Sequence, residues 1–170
     1  GYSMDIVIAK RYASALFDIA RETNRIEDFL NQLKETSNLI TRNKELNSLF
    51  SNPGININDK KNIIREILLP NTSPEVVELI MLLIDKNKVS GINYIYVSYK
   101  KMYYEYMNVR VARATTAVEM TDEEKLLLED KLSKKYSCKI IVENVVDSSI
   151  IGGVYLRVED AVTDGSVQGR

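Results

Sequence analysis

The sequence is poor in the residues on which most catalytic and metal chemistry depends. It contains no histidine, one cysteine and three prolines in 170 residues. Without histidine it lacks the commonest general base, the base of the usual catalytic triad and a frequent zinc ligand. The single cysteine, Cys138, excludes a disulfide within the chain, and we expect it to be a small structural residue at the start of a strand. These absences argue against an enzyme and against a zinc site.

Charge and hydropathy exclude two further classes of protein. The chain has 23 Lys and Arg against 24 Asp and Glu, a net charge of −1, and a pI near 5.7. A protein that neutralises many phosphates is expected to be strongly basic, so the sequence predicts no nucleic-acid partner. No apolar run approaches the ~18 residues of a membrane span, so we also predict no direct membrane insertion.

Residues 4–107 show helical spacing of apolar side chains almost throughout. All three prolines fall in two breaks, at residues 51–54 and 69–74, which separate the helical segments. Asn24 with Glu27 has the pattern of a capping box, which predicts the start of a helix. Six short helices joined by short loops predict a compact bundle. We place them near residues 4–22, 25–42, 44–51, 59–69, 74–87 and 91–107.

The apolar period changes after Asn108. Residues 109–120, 139–145 and 154–159 have the composition or alternation of strands. A helical segment that opens with a capping box at Thr121 lies between the first two. The order β-α-β-β predicts a small sheet with one helix across it, so the fold class is mainly α with a small α/β part. The predicted domains are a six-helix bundle over 4–107 and a small α/β domain over 109–170.

The first predicted helix has more apolar surface than one core contact needs. Two apolar stripes, each spaced three or four residues apart, run along it roughly 110° from one another around the helix axis. The first stripe comprises Ile6, Ala9, Ala13, Leu16, Phe17 and Ala20, and the second comprises Ile8, Tyr12, Ala15 and Ile19. Burial of both stripes in the core is the simpler interpretation, and a partner-binding face is the alternative.

The fifth predicted helix has a similar excess of apolar surface. Residues 76–84 are apolar except for Glu78, and Met81 and Leu82 lie beside the narrow polar strip of Glu78 and Asp85. Two such helices side by side can fill a core with one face each. Their remaining faces would then line a groove for an amphipathic helix from another chain.

The sixth predicted helix carries six of the ten tyrosines, at positions 94, 96, 99, 103, 104 and 106, together with Lys100 and Lys101. Aromatic residues between lysines can bind single-stranded nucleic acid, which makes a nucleic-acid-binding accessory protein the alternative function. Core packing is favoured instead, because the overall charge is not basic. The set with helical spacing, and hence the predicted core set, is Ile92, Ile95, Tyr99, Met102 and Tyr106.

The Gly152-Gly153 pair resembles a phosphate-binding loop only at first sight. A P-loop needs Lys and Ser or Thr after its last glycine, and a dinucleotide fold needs a helix there, whereas here a strand follows. We therefore predict a turn, capped by Asp147, that delivers Val154, Leu156 and Val158 into a sheet, and a second turn at Asp164 and Gly165. Asp147, Asp160 and Asp164 lack the spacing of an EF-hand loop. The sequence predicts no catalytic, cofactor-binding or metal-binding residues.

Three stretches of the sequence resemble one known family. Residues 8–20 contain A-x-x-Y-A-x-A-L-F, residues 46–55 read LNSLFSNPGI, and residues 145–170 contain D-x-S-x-I-G-G and D-G-S-V-x-G-R. Together they resemble the δ subunit of F-type ATP synthases, whose mitochondrial counterpart is the oligomycin-sensitivity-conferring protein. The resemblance implies a non-catalytic stator subunit on the cytoplasmic face of the bacterial plasma membrane, which couples the catalytic head to the peripheral stalk.

The resemblance also implies the partners. In the family, an N-terminal helix of an α subunit lies in a groove between the first and fifth helices, and the C-terminal domain meets the stalk b subunit. The expected contacts with the α-subunit helix are Ile8, Tyr12, Ala15, Ile19, Glu78 and Leu82. The family continues past the final Gly-Arg into an amphipathic helix, so we expect a C-terminally truncated member whose binding to b is weakened or lost. Glu159-Asp160 replaces the usual Gly-Asp, which predicts a different turn there.

Overall fold

The computed structural model describes residues 4–160, and the chain divides into two compact units. The first ends at Tyr103 and the second begins at Tyr104, within the last turns of the sixth helix and a short distance before Asn108. The α-helices are α1 (Ile6–Glu22), α2 (Ile26–Arg42), α3 (Lys44–Ser51), α4 (Ile57–Leu68), α5 (Pro74–Asp85), α6 (Ile92–Tyr106) and α7 (Asp122–Tyr136). A 3-10 turn spans Val89–Gly91, and the strands are β1 (Val109–Thr116), β2 (Lys139–Val146) and β3 (Tyr155–Asp160).

The predicted fold class is confirmed: the chain is mainly helical with one small sheet, in the predicted order of elements. Side-chain caps mark the starts of α1, α3, α4 and α7. Asp5 accepts a hydrogen bond from the backbone N–H of Val7 at the start of α1, and Asn56 accepts one from Asp59 at 2.8 Å, so α4 begins at Ile57. At α7 the predicted capping box is present in both directions between Thr121 and Glu124.

The capping box predicted at Asn24 is wrong. Asn24 has a φ of +56° and ends α1 instead of starting α2. Arg25, the residue after it, donates its backbone N–H to the carbonyl of Ala20 at 2.7 Å, which closes the last turn of α1. Asparagine is one of the few residues besides glycine that adopt the left-handed conformation, and α2 begins at Ile26 without a side-chain cap.

Tyr99 of α6 lies at the centre of the helical unit, where its side chain is fully buried. Its hydroxyl donates a hydrogen bond of 2.7 Å to the carbonyl of Ile26 at the start of α2. The ring of Phe17 on α1 meets it edge to face, with centroids 5.4 Å apart. One side chain thus links three helices. The other large, fully buried side chains of this unit are Phe29, Leu33, Ile40, Ile64, Ile80, Leu83, Ile92, Ile95, Val76 and Val77.

The second unit is a three-stranded sheet in the order β2-β1-β3. β1 and β2 are parallel and are connected through α7, and β3 runs antiparallel to β1. Its core contains Ala112, Ala114, Leu132, Ile140 and Val142, with Met120, Leu128, Cys138 and Val158 packed against it. Cys138 is therefore half-buried just before β2, as predicted.

The prediction for the apolar face of the last strand is only partly confirmed. β3 begins at Tyr155, so Val154 lies outside it and is 54% exposed. Leu156 is on the strand but is 44% exposed, and Val158 packs against the core. The reason is that α7 packs against β2, whereas β3 forms the opposite edge of the sheet.

Candidate partner-binding surface

The first apolar stripe of α1 faces the core of the helical unit. Its buried residues are Ala9, Ala13, Leu16, Phe17 and Ala20. Three of these five are alanines, whose small side chains let α1 lie close to its neighbours α2 and α5, both of which it contacts. This stripe therefore supplies all the fully buried side chains of α1.

The second stripe, which we call the outer face of α1, comprises Ile8, Tyr12, Ala15 and Ile19. Ile8 and Tyr12 are half-buried, Ala15 is exposed, and Ile19 is 39% exposed. The simpler interpretation, in which both stripes belong to the core, is therefore wrong. The outer face is an apolar surface that the described residues cover only in part.

α5 also exposes a narrow face, which we call the outer face of α5: Glu78, Leu82 and Asp85. Leu82 is 39% exposed, whereas its neighbour Met81 is buried. Residues 78, 82 and 85 are spaced by four and three, so they share one side of the helix. The structure thus places the six predicted contacts on the outer faces of two helices that touch one another, four on α1 and two on α5.

The acidic residues along α5 differ in whether they are neutralised. Glu75 receives two hydrogen bonds from Arg25, the shorter at 2.6 Å, and this interaction lowers the pKa of the Glu75 carboxyl and raises the pKa of the Arg25 guanidinium. Asp85 pairs with Lys61 of α4 at 2.9 Å. Glu78 forms no ion pair or hydrogen bond with any described residue of the chain. Its charge therefore remains unpaired beside Leu82.

The tyrosines of α6 divide between core and surface. Tyr99 and Tyr103 are buried, while Tyr94 and Tyr106 are 42% and 54% exposed. Placing Tyr106 in the core was therefore wrong, and Tyr103 is buried instead. The ammonium of Lys100 lies 5.5 Å from the centre of the Tyr96 ring, so it already interacts with an aromatic ring of its own helix.

The loop around the glycine pair is built as a chain reversal. Asp147 accepts hydrogen bonds from the backbone N–H of Ser149 at 3.0 Å and from its hydroxyl at 2.7 Å, and these bonds lower the pKa of the Asp147 carboxyl. Gly152 and Gly153 have φ of +64° and +89°. The turn predicted at Asp164 and Gly165 lies outside the described residues.

Gly152→Val should destabilise the second unit mainly through the backbone. A Cβ at this position would meet no atom within 4 Å, so the first side-chain atom fits without overlap. The φ of +64° costs a side-chain-bearing residue about 1–2 kcal/mol. Urea unfolding followed in the second unit measures the loss, and Gly152→Asn should lose less. Equal losses for valine and asparagine would contradict this explanation.

Neither a metal cluster nor a membrane-spanning helix was found in the described part of the chain. Among residues 4–160, no group of three or more Cys, Asp or Glu side chains could hold an ion, and no helix is long and apolar enough to cross a bilayer. A cavity of about 860 Å³ lies between the end of α2, α3, the start of α4 and the Val89–Gly91 turn. None of the predicted contact residues lines it.

Comparison with known proteins identifies the family. The family model "ATP synthase delta (OSCP) subunit" matches residues 8–170. The chain belongs to this family. Two relatives, both named ATP synthase subunit delta, come from Clostridium botulinum (strain Okra / Type B1) and Clostridium perfringens (strain SM101 / Type A). They are 35% and 36% identical to this chain over 161 residues, which is 95% of this chain and 90% of each relative.

A solved structure shares the fold of this delta (OSCP) family member. A chain of the cryo-EM structure of the Toxoplasma gondii mitochondrial ATP synthase hexamer superposes with a TM-score of 0.68, covering 91% of this chain and 86% of that chain, at 15% identity. As a delta (OSCP) subunit the chain is a non-catalytic, structural component of ATP synthase, with the stator role of the peripheral stalk.

Sequence patterns indicated most, but not all, of this surface. The outer face of α1 was visible as a second stripe, and Leu82 as an apolar residue beside the polar strip of α5. The neutralisation of Glu75 and Asp85 was not visible, because their partners Arg25 and Lys61 lie 50 and 24 positions away along the chain. No local pattern marks such pairs.

Proposed function

We propose that the helical unit binds an N-terminal helix of an ATP synthase α subunit in a groove between α1 and α5. This contact would couple the catalytic head to the peripheral stalk. The observation that carries the proposal is the outer face of α1: an apolar stripe at helical spacing, half-buried at Ile8 and Tyr12 and exposed at Ala15 and Ile19, on a helix that contacts α5. Such surfaces receive the apolar side of an amphipathic helix.

The residues of the two outer faces contribute to binding in different ways. Tyr12 presents a ring large enough to anchor the partner, and its hydroxyl has no hydrogen-bond partner among the described residues, so it is available to one. Ala15 is small and exposed, which allows the backbone of a partner helix to approach closely. Ile8, Ile19 and Leu82 add apolar area around these two residues.

The second unit contacts the stalk b subunit in this proposal, and the assembly lies on the cytoplasmic face of the bacterial plasma membrane as a peripheral complex. Leu126 and Leu127 of α7 are 65% and 66% exposed. Two adjacent exposed leucines are apolar surface that the small core of this unit does not use, which supports a protein contact there.

Titration with a peptide of the α-subunit N-terminal segment tests the groove. The wild-type chain should bind the peptide, and Ala15→Asp should weaken binding by about tenfold or more, because a carboxylate at the centre of an apolar contact loses its hydration. Tyr12→Ala should also weaken it, since it removes the largest anchor. Isothermal titration calorimetry measures both effects.

Ser48→Asp is the control. Ser48 is exposed on α3 and belongs to neither outer face, so the same new charge there should leave affinity unchanged. The melting temperature of every variant should stay close to that of the wild type, because none of these side chains is in the core. Unchanged affinity in both Ala15→Asp and Tyr12→Ala would rule out the groove.

A further inference from the structure

Two unpaired charges of opposite sign lie at the outer faces, one on the outer face of α5 and one beside the outer face of α1. Glu78 on α5 has no ionic or hydrogen-bonding partner among the described residues, and on α1 the same holds for Arg11. Both side chains are exposed. Acidic residues one turn before and two turns after Glu78 are neutralised by Arg25 and Lys61, so Glu78 is the exception on α5.

Arg11 lies along one border of the outer face of α1. It is three residues after Ile8 and four before Ala15, so its side chain emerges next to both on the helix surface. Asp18 and Arg21 on this helix pair with each other at 3.7 Å, whereas Lys10 and Glu22 are exposed and form no ion pair with a described residue. Arg11 is the open cation next to Ile8 and Ala15, as Glu78 is an open anion beside Leu82.

We propose that the bound helix carries a basic side chain on the flank facing Glu78 and an acidic side chain on the flank facing Arg11. This inference rests on the proposed groove and specifies the chemistry of its occupant: an amphipathic helix with one apolar side and flanks of opposite charge. Apolar packing alone tolerates rotation of a helix about its axis, whereas an anion on α5 together with a cation on α1 favours one rotation. The pair of charges thus sets the orientation of the partner.

Both contacts are at the rim of the interface, so their effect on affinity is moderate and depends on salt. Rim pairs contribute less than central apolar anchors. Dissolved salt also screens their attraction, with a Debye length of about 8 Å at physiological ionic strength. We expect Glu78→Gln to weaken binding of the α-subunit N-terminal peptide by about threefold, and Glu78→Lys or Arg11→Glu by about three- to tenfold. The differences from wild type should shrink at high salt.

A charge-swap cycle between chain and peptide tests this directly. Each basic residue of the peptide is changed in turn to glutamate, and each variant is titrated against wild type and Glu78→Lys. One of these peptide variants should bind Glu78→Lys better than the original peptide does. In the second half of the cycle, each acidic residue of the peptide is changed to lysine, and one of those variants should restore binding to Arg11→Glu. Glu45→Lys on α3, also exposed, is the control and should bind the original peptide like the wild type.

The outcomes separate the two proposals. If the wild-type chain does not bind the peptide at all, the groove itself is wrong. A second outcome is that the peptide binds and Ala15→Asp weakens binding, while Glu78→Lys and Arg11→Glu bind like the control and no peptide variant changes their affinity. That outcome supports the groove and overturns the charged flanks. Rescue by a single peptide position in each case supports both proposals.

Discussion

Tyr99→Ala should lower the free energy of unfolding of the helical unit by about 3–5 kcal/mol, which is a large part of the stability of a domain this size. The ring is fully buried and packs against Phe17 at 5.4 Å, so its removal leaves a cavity where three helices meet. The carbonyl of Ile26 also loses its donor. Urea unfolding followed by far-UV circular dichroism measures the loss.

Tyr99→Phe separates the ring from the hydroxyl. The ring contacts remain and only the hydrogen bond of 2.7 Å to Ile26 is lost, so the expected cost is about 1–3 kcal/mol. Tyr94→Phe is the control, because Tyr94 is 42% exposed on the same helix. If Tyr99→Phe unfolded at the same urea concentration as Tyr94→Phe, the buried hydrogen bond would not contribute to stability.

The same residue makes the helical unit sensitive to alkali. Burial raises the pKa of the Tyr99 phenol above its ordinary value of 10.0, because the phenolate is poorly solvated in the core. The native state therefore keeps this proton when the unfolded state has lost it. The stability from this group is fully present below pH 10 and decreases as the pH rises further. In Tyr99→Phe this part of the alkaline loss should disappear, so its decline above pH 10 should be shallower than that of the wild type.

Asn144→Leu should destabilise the second unit by about 2–4 kcal/mol, because it removes three hydrogen bonds that join β2 to β1 and to the segment before α7. The side-chain oxygen of Asn144 accepts a bond of 2.7 Å from the N–H of Met120, just before α7. Its amide nitrogen donates to the carbonyl of Ala114 and to the hydroxyl of Thr116, both at 2.9 Å. One half-buried amide thus holds β1, β2 and the start of α7 together.

Hydrogen exchange measured by mass spectrometry can localise this effect. Asn144→Leu should speed exchange of the amides in β1 and β2 and leave the helices of the first unit unchanged. Asn31→Leu, at an exposed position on α2, is the matched control and should leave the sheet protected. Equal protection of the sheet in both variants would show that the Asn144 network does not hold the second unit together.

Predictions from short-range patterns succeeded where the pattern had one physical solution. The capping box at Thr121 formed because both of its hydrogen bonds join residues three positions apart. At Asn24 the same kind of pattern failed, since asparagine can either cap a helix or take a positive φ. The structure has the second. The local sequence located the break between α1 and α2, but it did not select between the two conformations of Asn24.

The amino-acid sequence by itself determined the two halves of the chain, their helical and strand periods, the absence of histidine chemistry and the two apolar stripes of the first helix. Only the tertiary structure decided which stripe is buried, that Tyr103 and not Tyr106 enters the core, and that Glu78 alone among its neighbours on α5 lacks a cation. Periodicity is a property of one helix, and it follows from the order of its residues. Burial and ion pairing depend on which other elements pack against that helix, and those elements come from distant parts of the chain.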